Sequence, residues 1–166
     1  MIKFLCWNVR SINTFGALER LINLKKLHNI SMMAILEPFS SYDHIDAYRL
    51  QLLMDHSYSN SNNKIWLFWS NEITCDILES DQQQVTCEVR HETCREKFNM
   101  TYVYAKCKDQ WRKPLWDGML KWSDTNYPWC VIGDFNVIAS TQEKLGVEII
   151  TSVRVWNFLV LLRLVV

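Results

Sequence analysis

The chain has no excess of charge of either sign, since 18 Lys and Arg balance 18 Asp and Glu among its 166 residues. No overall basic field therefore attracts nucleic acid. The charges are nevertheless uneven. Residues 1–30 carry five basic residues against one acid, residues 90–113 carry seven against three, and residues 31–89 carry two against nine. The two basic segments are candidates for a phosphate-binding track, and ordinary solvated faces are the commoner alternative.

The six cysteines include no C-x-x-C pair, and no signal peptide precedes the first apolar segment, which starts at Ile2. Both absences favour a reducing, intracellular compartment. Three cysteines lie in apolar strand contexts, where a free thiol packs as a small hydrophobe: Cys6, Cys107 and Cys130. A zinc site is not predicted, because Cys87, His91 and Cys94 lack a fourth converging ligand.

Repeats and low-complexity linkers are also lacking, and the sequence alternates strand and helix patterns. A helix is predicted from Asn13-Thr14 to His28, a short helix over 43–54, and a helix with Pro114 at an early position. Strands are predicted over 56–60, 64–69, 73–79, 84–90 and 97–106, and after Pro128. At 166 residues the pattern fits one domain, an α/β sandwich of mostly antiparallel sheets flanked by helices.

Within this pattern, the tetrapeptide Gly133-Asp134-Phe135-Asn136 directly follows the apolar run Trp129-Cys130-Val131-Ile132. On extended backbone, side chains two residues apart share a face. Asp134 and Asn136 would therefore point the same way from the end of a buried strand, which suits binding of a phosphate, a metal-bound water, or both. The alternative is an Asx turn that only ends the strand.

Two other apolar strands end in a similar way. Residues 2–10 deliver Asn8 after a tryptophan, and Met32-Met33-Ala34-Ile35-Leu36 leads directly into Glu37-Pro38. Three strand ends with polar groups suited to a metal or a phosphate are much less expected by chance than one.

In combination, these motifs resemble the endonuclease/exonuclease/phosphatase superfamily, whose members include deoxyribonuclease I and the abasic-site endonucleases. The segments 7–13, 35–38, 102–105 and 133–137 are most similar to the endonuclease domain of plant non-LTR retrotransposons. The resemblance implies a four-layer sandwich, of which this chain holds a part, and a partner in the phosphate backbone of DNA. A DNA substrate adds the nucleus as a candidate compartment.

The resemblance also implies roles for individual residues. Glu37 would coordinate Mg²⁺ or Mn²⁺, and Asn8 would hold that ligand or a phosphate oxygen. Asp134 would orient or deprotonate the attacking water, and Asn136 would donate a hydrogen bond to the phosphate. Tyr102 matches a Tyr-Val motif whose phenol contacts the phosphate near the leaving group, although a tyrosine packed within the sheet is a close alternative.

Other parts of the family pattern have no counterpart. Family members carry a late Asp and a Ser-Asp-His near their end, whereas this sequence has no histidine after His91 and no acid beyond Asp134 except Glu143 and Glu148. Loss of general acid–base help costs about 10²–10⁴ in rate. The sequence therefore predicts weak or absent activity.

The resemblance covers residues 1–146, interpreted as the N-terminal part of the domain, and residues 147–166 form a divergent apolar tail. The tail is too short, and too interrupted by Arg154 and Arg163, to span a membrane. We interpret it as the result of truncation or a frame shift, with a terminal core element or an interfacial helix as alternatives. A shortened sandwich would expose apolar surface and favour association, although no obligate protein partner is predicted.

Three functional hypotheses follow. The chain is a magnesium-dependent DNA endonuclease domain of a retroelement, weakly active or inactive in this form. Alternatively, it is a catalytically dead remnant with no selected function, or a phosphoesterase of the same superfamily that acts on another substrate.

Overall fold

The computed structural model describes residues 2–94, 96–123, 127–137 and 160–163. The elements follow in this order: β1 (Lys3–Asn8), α1 (Phe15–His28), β2 (Met32–Leu36), α2 (Ile45–Gln51), β3 (His56–Ser59), β4 (Ile65–Trp69), β5 (Ile73–Ser80), β6 (Gln84–His91), β7 (Phe98–Tyr104), α3 (Asp109–Ser123), β8 (Trp129–Asp134) and β9 (Val160–Arg163). A 3₁₀ turn, Tyr42–His44, precedes α2.

The strands form two sheets. The first has five strands in the order β3-β4-β2-β1-β9, and the second has four in the order β5-β6-β7-β8. Most neighbouring strands are antiparallel, but β1 pairs with β2 and β7 pairs with β8 in parallel. The predicted α/β sandwich of mostly antiparallel sheets is confirmed.

The core between the sheets is built from one face of each. In the second sheet, every second side chain of β6 and β7 points into this core, as Val85, Cys87, Met100 and Tyr102 do. In the first sheet, β2 and β4 are buried along their whole length, since helices cover their other face. Continuous apolar runs are the sequence signature of such doubly covered strands.

The helices lie on the outer faces of the two sheets. Leu21 of α1 and Ile45 of α2 pack on the first sheet against Met33, Ile35 and Phe68. Leu115 of α3 packs on the second sheet with Val103 and Ala105. The result is four layers, with helices outside and sheets inside. In the part of the chain that the structure describes, no helix is both long and apolar enough to cross a membrane.

The third helix begins earlier than the sequence indicated. Pro114 was expected near its start, yet α3 begins at Asp109 and contains the proline. The buried Arg112 accounts for the earlier start, because its guanidinium binds the backbone carbonyls of Lys106 and Cys107, just before the helix. Cys107 also differs from its expected strand context, since it is exposed beyond the end of β7.

The predicted tail is described only in part. Residues 160–163 form β9, which pairs antiparallel with β1 from Lys3 to Cys6. A terminal strand was one of the alternatives for this segment. Residues 138–159 and 164–166 lie outside the described residues, as do the remaining expectations for the tail.

Gly133 provides a test of the β7–β8 pairing. A Cβ at this position would lie 2.0 Å from the backbone oxygen of Val103, its register partner. We expect Gly133→Ala to lower the free energy of unfolding by about 3 kcal/mol, because backbone atoms would have to move to make room. Denaturant unfolding measures the change.

Gly16→Ala is the matched control. This glycine lies in α1 with nothing within 4 Å of the added Cβ, and alanine should stabilise the helix by about 0.5–1 kcal/mol. A Gly133→Ala chain as stable as the wild type would contradict the close approach of β7 and β8.

Candidate functional site

Four strands end together at one edge of the sandwich. The carboxyl ends of parallel neighbours lie at the same edge of a sheet. The register pairs Asn8 with Leu36, directly before Glu37, and it pairs Tyr104 with Asp134. Each sheet therefore brings two polar strand ends to this edge, and the two sheets face each other there.

A buried hydrogen bond joins the two sheets at this edge. Asn8 Nδ2 donates to Asp134 Oδ2 over 2.9 Å, although 126 residues separate the two in sequence. Both side chains are almost fully buried. The charge of the Asp134 carboxylate also acts on Cys6. Burial first, and then this negative charge, raise the pKa of the Cys6 thiol.

The strand β8 ends at Asp134, and the loop after it folds back on Asp134 in an Asx turn, so the expectation that Asn136 continues the extended strand is wrong. The backbone N–H of Asn136 donates to Asp134 Oδ1 over 3.0 Å, and Asn136 Nδ2 donates to the backbone oxygen of Ala105 over 2.5 Å. Asn136 Oδ1 is buried and has no hydrogen-bond partner within the described residues. Arg112 secures the same loop by donating to the backbone oxygen of Asn136 over 3.1 Å.

Glu37 forms the second half of the site. Its carboxylate accepts a short hydrogen bond from the phenol of Tyr104, across the space between the sheets. Burial first, and then the hydrogen bond to Glu37 and its negative charge, raise the pKa of Tyr104 above the usual range of a tyrosine. Tyr104 is therefore a neutral hydrogen-bond donor at physiological pH.

Tyr102, the tyrosine predicted for the site, lies deeper in the sandwich. It is fully buried, pairs in register with Ile132, and its hydroxyl has no hydrogen-bond partner within the described residues. Burial raises its pKa well above the usual range. The structure thus brings together Asn8, Glu37, Asp134 and Asn136, and adds Tyr104 where Tyr102 was expected. Two residues along a strand separate the tyrosines, a rise of about 6.6 Å.

Unusual backbone conformations cluster at the same edge. Eight non-glycine residues have positive φ among those described, and five of them lie here: Arg10, Ser11, Glu37, Phe39 and Asn136. Asparagine tolerates this conformation, whereas glutamate adopts it rarely. Two backbone hydrogen bonds hold Glu37 in place. Its N–H donates to the backbone oxygen of Lys64, and its backbone oxygen accepts from the N–H of Ser11. Strain of this kind concentrates at functional sites.

The donor set suits a hard divalent cation. Within the described ranges, no group of three or more His, Cys, Asp or Glu forms a metal cluster. Magnesium, however, usually takes only one or two carboxylates and completes its shell with waters. Glu37 supplies a carboxylate, and the amide oxygens of Asn8 and Asn136 supply further hard ligands. The unpartnered Asn136 Oδ1 is a buried acceptor that a water or a ligand donor would satisfy.

Three of the four histidines form side-chain hydrogen bonds, and none of these bonds involves a residue of the site. His44 contacts Ser40, His56 contacts Asn71, and His91 contacts Thr93. The described residues therefore place no histidine in hydrogen-bond contact with Asp134.

Sequence reasoning missed two residues of the site. Tyr104 has the same strand parity as Tyr102, so a register between β7 and β8 was needed to choose between them. Arg112 carried no motif, and its burial beneath the Asn136 loop depends on the path of α3. An arginine three residues after an aspartate at a helix start was the one signal available, and Arg112 does form an ion pair with Asp109.

Solved structures share this architecture. The endonuclease domain of TRAS1, a telomere-specific non-LTR retrotransposon, superposes with a TM-score of 0.60 at 11% identity, covering 83% of this chain and 62% of that domain. An endonuclease/exonuclease/phosphatase family protein from Bacteroides thetaiotaomicron gives 0.62 at 12% identity, covering 85% and 66%. D. rerio TDP2 complexed with a single-strand DNA product gives 0.59 at 14% identity, covering 82% and 61%.

The chain therefore has the same fold as these proteins, the α/β sandwich that the resemblance implied. At these identities the likeness establishes the fold. The chain spans about three fifths to two thirds of the length of these three proteins. No protein-family model matches the sequence, and no curated protein sequence matches it either.

Arg112 allows a test of how the Asn136 loop is held. We expect Arg112→Ala to lower the free energy of unfolding by about 3 kcal/mol, because hydrogen bonds to three backbone carbonyls are lost. The stability of Arg112→Lys should lie between those of the wild type and Arg112→Ala, since an ammonium cannot reproduce the guanidinium fork. Denaturant unfolding measures both changes.

The control is Lys113→Ala, which removes the neighbouring exposed cation of α3 and should change stability by less than about 0.5 kcal/mol. Equal stabilities for Arg112→Ala and Lys113→Ala would show that Arg112 does not hold the loop.

Proposed function

We propose that this chain is a magnesium-dependent phosphodiesterase domain that nicks DNA, of the kind found in retroelement endonucleases. The observation that carries the proposal is the convergence of five polar side chains from four strand ends: Asn8, Glu37, Tyr104, Asp134 and Asn136. The TRAS1 endonuclease domain and the DNA-bound TDP2 share the fold.

Each group has a role that its environment supports. Glu37 is the half-buried carboxylate that would hold Mg²⁺, and Asn8 would add an amide oxygen. The metal, when bound, would neutralise charge on the phosphate. Asp134 is held by Asn8 on one oxygen and by the N–H of Asn136 on the other, so its carboxylate is fixed for orienting the attacking water.

Donors to the phosphate come from the remaining two side chains. Tyr104 keeps its proton because burial and Glu37 raise its pKa. Once released from Glu37, a neutral phenol at this edge would donate to a phosphate oxygen near the leaving group, the role that the family resemblance implied for Tyr102. Asn136 would donate to the same phosphate once a ligand draws its amide away from Ala105.

The rate is expected to be low. With no histidine beside Asp134 in the described residues, general acid–base help is reduced, and such help is worth about 10²–10⁴ in rate. A catalytically dead remnant and a phosphoesterase for other substrates are the competing outcomes. Hydrolysis of phosphate monoesters and lipid phosphates, measured in parallel with DNA nicking, distinguishes a phosphoesterase for other substrates from a nuclease.

The activity is tested by nicking of supercoiled plasmid in Mg²⁺ and in chelator. We expect slow nicking that needs the metal, and we expect Glu37→Gln and Asp134→Asn each to reduce it by at least about 100-fold. Tyr104→Phe should reduce it by more than Tyr102→Phe, because only Tyr104 reaches Glu37.

Glu92→Gln is the matched control, since this exposed acid follows β6 at the opposite end of the sandwich and should leave nicking unchanged. Nicking that survives both the Glu37 and the Asp134 substitutions would refute the proposed site. A folded wild-type chain with no metal-dependent nicking would instead identify a dead remnant.

A further inference from the structure

A groove of about 440 Å³ opens beside Tyr104, the hydrogen-bond partner of Glu37. Tyr104 and Lys64 both line it, and the backbone oxygen of Lys64 accepts a hydrogen bond from the N–H of Glu37. The groove therefore begins at the proposed phosphate site and leads away from it towards Trp111. Its size is within the range of pockets that hold small ligands, about 300–1,000 Å³.

Three loops are tied together around this groove before any ligand binds. Gln83 donates from Nε2 to the backbone oxygen of Trp111 over 3.0 Å, and its Oε1 accepts from the N–H of Lys106 over 2.8 Å. Asn60 donates to the backbone oxygen of Asp81 over 2.9 Å, and Asn62 donates to that of Gln82 over 2.7 Å. The β3–β4, β5–β6 and β7–α3 connections thus hold a preformed shape.

Aromatic rings and lysines line this groove or contact its lining residues. Trp111 is about half exposed, and Lys108 Nζ lies 4.6 Å from the centre of its ring. Phe39, two residues after Glu37, is also half exposed, with Lys64 Nζ 4.2 Å from its ring centre. Lys106 adds a third cation, and none of the eight residues that line the groove is acidic. Exposed rings beside cations bind nucleobases and phosphates together.

We propose that this groove is a subsite for one unpaired nucleotide next to the scissile phosphodiester. The base stacks on Trp111, and the adjoining phosphate is held by Lys64 and Lys106. The position of the subsite relative to the cut rests on the proposed nuclease function. A base can enter the groove only when it is out of the duplex, so DNA with an unpaired nucleotide beside the cut is the preferred substrate.

The inference is tested with the full chain in chelator, so that binding is measured without cleavage. Fluorescence anisotropy compares a labelled short oligothymidylate with an oligomer of abasic units of the same length, which keeps the phosphates and lacks the bases. We expect the wild type to prefer the oligothymidylate. Trp111→Ala should weaken binding of the oligothymidylate by at least about fivefold and leave the abasic oligomer unchanged.

Two further variants separate stacking from charge. Trp111→Phe keeps an aromatic face and should retain most of the preference for bases. The double variant Lys64→Ala/Lys106→Ala should weaken both oligomers and flatten the salt dependence, because phosphate contacts release counterions. Thermal melting of each variant verifies that it is folded.

Tyr127→Ala is the matched control. Tyr127 is also half exposed with a lysine, Lys97, 4.4 Å from its ring centre, but it precedes β8 at the opposite end of the second sheet. Its loss should not change binding of either oligomer. A similar loss in Tyr127→Ala and Trp111→Ala would overturn the subsite and indicate unspecific contact with exposed rings.

The outcomes separate this inference from the nuclease proposal. Equal binding of both oligomers by the wild type, or unchanged binding by Trp111→Ala, overturns the subsite even if nicking depends on Glu37. Binding that depends on the bases and on Trp111, in a chain that does not nick DNA, supports the subsite and refutes only the nuclease activity.

Discussion

The hydrogen bond from Asn8 to Asp134 is the contact on which the arrangement of the site depends. It joins the first and the second sheet at their shared edge, in a buried setting where each group would be costly to leave unpaired. It connects the end of β1 to the end of β8, and each of these strands has a parallel neighbour that delivers a further polar residue. Because the strand pairs are parallel, one link between the sheets brings Glu37 and Tyr104 to the same place.

The rest of the edge supports this link through burial and backbone contacts. Arg112 holds the Asn136 loop from beneath, and Gly133 allows β8 to approach Val103 closely enough to stay in register. Glu37 keeps a strained backbone because its neighbours bind both its N–H and its oxygen. Burying these polar groups and holding this strained backbone lower the stability of the fold, which is the pattern expected at a functional site.

Much of the fold could be predicted from local patterns. The strands over 56–59, 65–69, 73–80, 84–91 and 98–104 lie within one or two residues of the predicted ranges, because polar Ser/Asn and Asp/Gln clusters interrupt the apolar runs. The start of α3 could not be predicted, since Pro114 is a typical early helix residue and the true first turn is anchored by Arg112. Tyr102 was named because it matches the Tyr-Val motif of the resemblance, and Tyr104, which has the same strand parity, was not considered.

Local sequence patterns were enough to predict most of the apolar strands and the polar residues at three strand ends, since these depend on neighbours within a few positions. Asn8, Glu37, Asp134 and Asn136 could all be named in this way. Which of these side chains touch, which tyrosine joins them and where a groove opens beside them became clear only from the folded arrangement. Those outcomes depend on the register between β7 and β8 and on contacts between residues as much as 126 positions apart, which no local pattern encodes.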